Sequence, residues 1–266
     1  MIDVIIPVYN DAKRVCRAIR SAESALGLGH IIVIDDGSTD ETRQVILNTW
    51  KTIRLTSIVN SGPSIARNTG VELSNAKYVM FLDSDDEILM DNVTRTLSTI
   101  TSKPKDFYYH SSRATPIEKS IMHTNTVAIS DVIVRRELLT STGLFDSKLW
   151  QHEDWDLWSR CIVESPTIVR IKNPLSVVHL SPLSNSSNYL NMAITNLEVL
   201  RRNASRFKNN DFSIDVNHIF NVRFRHLLHD VVHTRKSQLL KIRSSYITII
   251  AICASHYIYN KFRIAK

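Results

Sequence analysis

The chain has 266 residues, of which 43% are hydrophobic and 22% charged, so it is long enough for one α/β domain with an appendage and is not a disordered protein. Its three cysteines, Cys16, Cys161 and Cys253, are far apart and odd in number, which excludes a disulfide framework and a zinc ribbon and fits a reducing cytosol. The net charge of +7 is concentrated in residues 222–266, where nine basic residues accompany one acid, Asp230.

The first 82 residues alternate between apolar runs typical of strands and amphipathic stretches typical of helices. Strands are predicted at residues 4–6, 31–34, 55–59 and 78–82, and helices at 11–26, 40–50 and 64–74. The N-terminus lacks the long apolar segment of a signal peptide and is predicted to enter the first strand directly. This β-α-β order predicts an α/β fold with a mostly parallel, doubly wound sheet.

The second part of the chain is less regular. A helix is predicted at residues 131–140, an acidic and aromatic stretch at 150–158, and short strands near 168–171 and 176–179. A loop rich in serine, asparagine and proline covers 181–188, and the remaining residues have helical periodicity. We therefore predict an α/β domain of residues 1–185, with halves 1–103 and 104–185, and a helical basic C-terminal extension of residues 186–266.

Acidic residues follow two of the predicted strands. Asp35 and Asp36 are typical of a turn that caps the next helix, but a carboxylate there also suits the N3 proton of a uracil ring. Asp83, Asp85 and Asp86 lie within four residues, and a divalent cation such as Mg²⁺ or Mn²⁺ would relieve their mutual repulsion. Because parallel strands present ligands at their carboxyl ends, we expect both groups at one edge of the sheet.

Two features of the second half are candidates for the same edge. Glu153 and Asp154 precede Trp155 in the acidic and aromatic stretch. Acids favour the first turn of a helix, but a carboxylate in apolar surroundings is also a candidate general base. His179 follows a predicted strand and is either an ordinary histidine of the surface or core, or a nitrogen ligand to a metal.

Six segments of the chain occur in an order and at spacings that resemble the family 2 glycosyltransferases. They are residues 6–10, 33–40, 60–70, 78–86 and 143–146, followed by Glu153-Asp154. The resemblance runs from residue 2 to about 179. It implies the GT-A fold, a Rossmann-like and mostly parallel sheet with helices on both faces. It also implies an inverting, metal-dependent transfer of a sugar from a nucleoside-diphosphate donor, expected to be a UDP-sugar. The acceptor would be a saccharide or lipid-linked hydroxyl, in the synthesis of a cell-surface polysaccharide.

The resemblance also implies roles for individual residues. Those matching the family's nucleotide-sugar pocket are Pro7, Val8, Tyr9, Asp36, Asn60, Ser64, Arg67, Asp83 and Ser84. Within it, Pro7, Val8 and Tyr9 would cradle the base, and Asp36 would bind the uracil edge.

Asp83-Ser84-Asp85 resembles the family's D-x-D motif, in which Asp85 would be the principal ligand of Mn²⁺ or Mg²⁺ and Asp83 would lie near the ribose and the metal. Asp154 matches the family's general base, with Glu153 as its neighbour, and His179 lies where some members place a further metal ligand. The chain departs from the family pattern at His152, where a glycine commonly precedes the Glu-Asp pair.

The basic tail contains a mainly apolar run at residues 246–259, which is shorter than the roughly 20 residues that a membrane-spanning helix needs. It is predicted either to pack on the domain or to lie on an anionic membrane. The expected location is therefore the cytoplasm or the inner face of the cytoplasmic membrane.

Other functions fit the sequence less well. A nucleotidylyltransferase needs a glycine-rich loop after the first strand, and a dehydrogenase needs the G-x-G-x-x-G motif; the chain has neither. The basic tail suggests a protein that binds a nucleotide sugar or nucleic acid without transferring a sugar. The acids at the strand ends argue against this non-enzymatic alternative.

Overall fold

A seven-stranded sheet organises the chain, and the computed structural model describes residues 1–149, 151–165, 167–179 and 189–207. The strands are β1 (Ile2–Val8), β2 (Ile31–Asp35), β3 (Arg54–Ser57), β4 (Tyr78–Phe81), β5 (Glu87–Ile88), β6 (Phe107–Tyr109), β7 (Val132–Arg135), β8 (Ile168–Arg170) and β9 (Ser176–Val177). The large sheet has the order β3-β2-β1-β4-β7-β6-β8, and β5 pairs with β9 separately. The pairs among β1 to β4 are parallel, whereas β7 is antiparallel to both neighbours.

The described helices are α1 (Val15–Leu26), α2 (Thr42–Thr49), α3 (Pro63–Leu73), α4 (Met90–Ser102), α5 (Ile117–Ser120), α6 (Arg136–Ser141), α7 (Glu153–Glu164) and α8 (Tyr189–Arg206), with 3₁₀ turns at Leu28–His30 and Ile129–Asp131. Alternate strand residues point to opposite faces, so Ile5 and Phe81 enter one core and Ile6 and Met80 the other. Helices α3, α6, α7 and α8 contribute to the first core, and α1, α2 and α4 to the second. The prediction of a mostly parallel sheet with helices on both faces is confirmed.

Gly70 explains how closely α3 approaches the sheet. A β-carbon at this position would lie 2.3 Å from Cγ2 of Ile5 in β1, so a larger residue would push the helix away. The close packing fixes α3 against β1, and Arg67 lies one turn earlier, toward the N-terminus of the helix.

One prediction for the middle of the chain needs correction, and two elements there are additional to those predicted. The predicted helix at 131–140 was wrong in its first half, because Val132–Arg135 is the buried strand β7 and the helix begins only at Arg136. The consecutive β-branched residues Val132, Ile133 and Val134 favour a strand over a helix. Helix α4 and strand β6 were not predicted from the sequence.

Helix α8 is joined to α7 by a buried ion-pair cluster. The side chain of Asp156, only 1% exposed, accepts bonds from Arg160 (3.0 Å), Arg202 (3.2 Å) and Arg206 (2.8 Å).

The tail at residues 246–259 lies outside the described residues. In the part of the chain that the structure describes, no helix is both long enough and apolar enough to cross a membrane.

We expect Asp156→Asn to lower the free energy of unfolding by about 3 kcal/mol at pH 7, because three partly buried arginines lose the charge of a fully buried partner. Burial opposes the charge of Asp156, but Arg206 and Arg160 outweigh it and hold the pKa of this carboxyl below its ordinary value. A lowered carboxyl pKa stabilises the fold above the unfolded value, so the difference between the proteins should shrink below about pH 4.

Urea unfolding of the wild type and of Asp156→Asn, at pH 7 and at lower pH, measures the difference in their free energies of unfolding. The control is Asp146→Asn, which removes a more exposed partner of Arg202 (2.9 Å) and should cost less than about 1 kcal/mol. Equal losses in the two variants would contradict a special role for Asp156.

Candidate functional site

Loops that are far apart in the sequence meet at the carboxyl ends of β1, β2 and β4. Oδ1 of Asn10, after β1, accepts a hydrogen bond from the backbone N–H of Thr39, after β2, at 2.7 Å. The hydroxyl of Ser84, after β4, donates to the carboxylate of Asp11 at 2.6 Å. The strand ends therefore form one rim, as their parallel arrangement predicts.

The Asp36 carboxylate organises the loop before α3. This residue is 4% exposed, and its two oxygens accept the backbone N–H groups of Ser61 (2.7 Å) and Gly62 (2.8 Å). The adjacent Gly37 has a φ of +73°, and a β-carbon there would lie 2.8 Å from the backbone N of Asn60. Asp36 thus holds the loop in place, and its contact with a nucleobase stays a prediction.

The three residues predicted to cradle the base differ in exposure. Pro7 and Val8 are buried, and Val8 belongs to the core. Tyr9 is 48% exposed, so of the three it is the one whose side chain is available to a ligand. That the three residues cradle the base stays a prediction, in which Tyr9 has the exposed side chain and Pro7 and Val8 lie buried before it.

The two residues predicted beside Arg67 also differ. Asn60 is exposed, whereas Ser64 in the first turn of α3 is 3% exposed. Within the described part of the chain, the Ser64 hydroxyl has no hydrogen-bond partner, which is uncommon for a buried polar group.

Arg67 joins two parts of the rim. Its buried guanidinium contacts Oδ1 of Asp83 at 2.8 Å and Oε1 of Glu153 at 2.7 Å. Burial opposes its charge, but the attraction of the two carboxylates outweighs this effect and raises the pKa of Arg67 above its ordinary value. A permanent cation therefore links the acid after β4 to the first turn of α7.

Asp154 lies at the start of α7, next to Glu153. Its Oδ1 accepts the backbone N–H of Trp155 at 2.7 Å, and its Oδ2 accepts the side-chain amide of Asn125 at 2.8 Å. Burial, followed by repulsion from Glu153, raises the pKa of Asp154 to about 7. Such a pKa suits a general base at neutral pH, because the group is substantially ionised yet retains affinity for a proton.

His152 shows why glycine is common at its position in the family pattern. Its φ of +60° lies in the left-handed region, which glycine adopts without steric cost and other residues rarely occupy. The ring of His152 lies edge-on to Trp155, with centroids 5.7 Å apart. The chain therefore keeps the turn before α7 although it lacks the glycine.

The acidic turn after β4 is held by cations and by β9. Oδ2 of Asp85 contacts the guanidinium of Arg14 at 3.1 Å, and the backbone carbonyl of Asp85 accepts from Arg17 at 2.6 Å. The pairing of β5 with β9 brings His179 close, so that its ring lies 2.8 Å from a carboxylate oxygen of Glu87. His179 thus contacts Glu87, and its predicted role as a metal ligand stays untested.

The acidic turn fits a divalent cation that is shared with a substrate. The described residues contain no group of three or more histidine, cysteine, aspartate or glutamate side chains arranged around one ion. Mg²⁺ and similar ions, however, are commonly held by one or two carboxylates together with substrate phosphates. Burial, followed by repulsion from Asp83, raises the pKa of Asp85. A cation relieves the repulsion between the two carboxylates, and Arg14 supplies one in the structure.

Sequence reasoning missed Arg14 and Asn125. Arg14 follows Asp11 by three residues, a spacing that signals their ion pair, but its contact with Asp85 spans 71 residues. Asn125 lies in an irregular segment without a recognisable motif. Both contacts depend on how the fold brings distant segments together.

Comparisons with known proteins agree with this arrangement. A family model described as glycosyl transferase family 2 matches residues 3–159. An uncharacterized glycosyltransferase of Haemophilus influenzae is 29% identical over 218 residues, which cover 73% of this chain and 85% of the relative. The putative teichuronic acid biosynthesis glycosyltransferase TuaG of Bacillus subtilis is 27% identical over 143 residues, covering 50% of this chain and 57% of TuaG. The chain spans only 13% to 26% of the length of several matched relatives from Rickettsia and Escherichia coli.

Solved structures share the fold. S. aureus TarS 1–349 in complex with UDP-GlcNAc has a TM-score of 0.67 at 20% identity, covering 97% of this chain and 80% of that one. A mannosyltransferase from Pyrobaculum calidifontis, in complex with GDP-Man and Mn²⁺, has a TM-score of 0.63 at 14% identity, covering 97% and 84%. The predicted GT-A architecture is confirmed.

Proposed function

The chain belongs to glycosyl transferase family 2, and we propose that it is an inverting enzyme that transfers a sugar from a nucleoside diphosphate to an acceptor hydroxyl. One observation carries the proposal: Arg67 contacts both Asp83, in the predicted donor motif, and Glu153, the neighbour of the predicted base. A donor at Asp83 and an acceptor at Asp154 would then lie on the two sides of one buried guanidinium.

The residues divide the reaction between them. Asp154 takes the proton of the acceptor hydroxyl while the oxygen of that hydroxyl forms the bond to the anomeric carbon. The bond from that carbon to the diphosphate breaks in the same displacement, so the configuration inverts and nucleoside diphosphate leaves. Asp83 and Asp85 would hold a divalent ion, Mn²⁺ or Mg²⁺, which when bound offsets the charge on the diphosphate. Tyr9 and the loop held by Asp36 are the proposed base-binding elements.

The donor and its setting are proposed from the structural neighbours, from Asp36 and from a relative. TarS has been solved with UDP-GlcNAc and the Pyrobaculum mannosyltransferase with GDP-Man, so both nucleotides belong in a test. We propose a UDP-sugar, because the predicted role of Asp36 is to bind uracil. The likeness to TuaG, a putative teichuronic acid biosynthesis glycosyltransferase, supports a role in surface-polysaccharide synthesis. We propose a saccharide or lipid-linked acceptor and a location at the cytoplasmic side of the membrane.

The experiment is nucleoside diphosphate release by the full chain from UDP-GlcNAc, other UDP-sugars and GDP-Man in Mn²⁺, with and without saccharide acceptors. We expect slow release from a UDP-sugar alone, because water can replace the acceptor, and faster release with a suitable acceptor. Failure to bind or consume any donor of the panel would overturn the proposal. Tight binding of nucleic acid in that case would favour the non-enzymatic alternative.

The contact of Arg14 with Asp85 predicts competition between this arginine and the metal. We expect Arg14→Gln to raise the affinity of the donor-free protein for Mn²⁺ by about two- to fivefold, the value of a partly exposed ion pair. Calorimetric titration with Mn²⁺ alone measures the change without reference to activity.

The matched control is Arg54→Gln, which removes a guanidinium that contacts Asp3 at 3.4 Å, at the opposite end of the sheet. The control should bind Mn²⁺ as the wild type does. Equal or weaker Mn²⁺ binding by Arg14→Gln would show that Arg14 does not compete for the site.

A further inference from the structure

We propose that Asn125 is a positioning residue for the reaction, which holds the Asp154 carboxylate toward the acceptor hydroxyl. The inference rests on the proposed function, in which Asp154 is the base. Its observation is the hydrogen bond from Nδ2 of Asn125 to Oδ2 of Asp154, 2.8 Å long, between residues 29 positions apart. No motif in the sequence marks this asparagine.

The orientation of the Asn125 amide follows from its second bond. Oδ1 of Asn125 accepts the backbone N–H of Val127 at 3.1 Å. A backbone N–H can only donate, so the oxygen of the amide must face Val127 and the NH₂ group must face Asp154. Asn125 therefore presents a donor to the base, and not an acceptor.

The backbone beside Asn125 is itself held on two sides. The carbonyl of Thr126 accepts from the hydroxyl of Ser111 at 2.9 Å, and the hydroxyl of Thr126 lies 3.1 Å from that of Ser120. Val127 is 3% exposed and belongs to the same core as Trp155. The amide of Asn125 thus projects from a fixed segment, which is what a positioning residue requires.

The two bonds to Asp154 fix the plane of its carboxylate. Oδ1 is engaged by Trp155 N–H and Oδ2 by Asn125, which leaves each oxygen able to accept one further hydrogen bond. A proton from the acceptor can be taken at those remaining positions. Without Asn125, the carboxylate would be free to rotate away from the acceptor.

Asn125 also favours the charged form of Asp154. Burial and the Glu153 carboxylate raise the pKa of Asp154, while Trp155 N–H, the charge of Arg67 and the Asn125 amide oppose that rise. A hydrogen bond to a carboxylate stabilises the ionised form that a base needs. Loss of the amide would therefore leave less of the base ionised at neutral pH.

The test compares Asn125→Ala and Asn125→Asp with wild type, using kcat, donor KM and the pH dependence of kcat. For Asn125→Ala we expect kcat at pH 7 to fall about tenfold or more, the effect of losing a hydrogen bond to a charged group, with donor KM unchanged. The acid limb of the profile should move to higher pH. Asn125→Asp keeps the shape and the bond to Val127 but adds a negative charge, so its acid limb should move further in the same direction.

The matched control is Asn92→Ala, which removes a side-chain amide that donates to the carbonyl of Pro174 at 2.9 Å. This hydrogen bond lies outside the proposed site, so its loss should not change the pH of the acid limb of the kcat profile. An acid limb that stays in place in both Asn125 variants would overturn the proposal, whatever happens to kcat. If Asn125→Ala does not fold, Asn125→Ser replaces it under the same criterion, because its short side chain also lacks the amide that donates to Asp154.

Asp154→Asn, measured in parallel, separates this inference from the proposed function. If Asp154→Asn is nearly inactive and the Asn125 variants keep the wild-type profile, only the role of Asn125 falls. If Asp154→Asn keeps wild-type turnover, the assignment of the base falls and that of Asn125 falls with it.

Discussion

Replacing Asp154 by asparagine is expected to lower kcat by about two to four orders of magnitude, the usual contribution of a positioned general base. The asparagine amide has nearly the same shape but no affinity for a proton at neutral pH. The donor contacts lie elsewhere on the rim, so the donor dissociation constant should stay within about twofold of wild type.

Initial rates of nucleoside diphosphate release with acceptor, together with calorimetric donor binding, measure the two halves of this prediction. Asp146→Asn is the control, because it removes the charge of an aspartate that contacts Arg202 and is outside the proposed site. Turnover near that of wild type in Asp154→Asn would remove Asp154 from the role of base.

The pH profile of the wild type tests the same residue independently. Because the pKa of Asp154 is raised to about 7, the base is protonated and inactive below that pH and becomes ionised above it. We expect kcat to rise through pH 7 and then level off as far as this group is concerned. A rate that is constant from pH 5 to pH 8 would contradict a base with this pKa.

Asp85→Ala is the second variant with a large expected effect, the loss of metal-dependent donor binding. The variant removes one of two carboxylates that would hold the ion against the diphosphate, so Mn²⁺ should no longer strengthen binding of a UDP-sugar. Besides its burial, Asp85 is destabilised in its ionised form by the charge of Asp83, and a cation between the two carboxylates would relieve that repulsion.

Calorimetry with and without Mn²⁺ measures this loss, with Asp106→Ala as the matched control. Asp106 also forms an ion pair with an arginine, Arg135, at 2.7 Å, but at the start of β6 and therefore at the far end of the sheet. The control should retain the Mn²⁺ effect. An Asp85→Ala protein whose donor affinity still increases with Mn²⁺ would contradict the assignment.

The regular half of the fold could be predicted because its signals are local. The apolar runs at β1, β2 and β4 are bounded by polar residues, and parallel strands place their carboxyl ends together. The sequence therefore predicts that Asp36 and Asp83 lie at one rim. The mixed half was harder, since β7 is a four-residue strand that leads directly into α6, and the apolar residues of both were taken for one helix.

The contacts that complete the site could not be predicted, because they depend on tertiary packing. Arg67 and Glu153 are 86 residues apart, and Arg14 and Asp85 are 71 apart. No local pattern links such residues. The partner of Asp154 was missed for the same reason, since Asn125 approaches from an irregular segment. Residue types and strand order predict which acidic residues lie at one edge of the sheet. The structure is needed to show which side chains contact them.

A crystal structure of the protein with Mn²⁺ and a UDP-sugar would show where the donor lies relative to Asp83, Asp85 and Asp154. We expect the diphosphate beside Asp83 and Asp85, and the anomeric carbon on the side of the rim that carries Asp154. A donor bound away from the Asp83 turn, or one whose anomeric carbon faces away from Asp154, would contradict it.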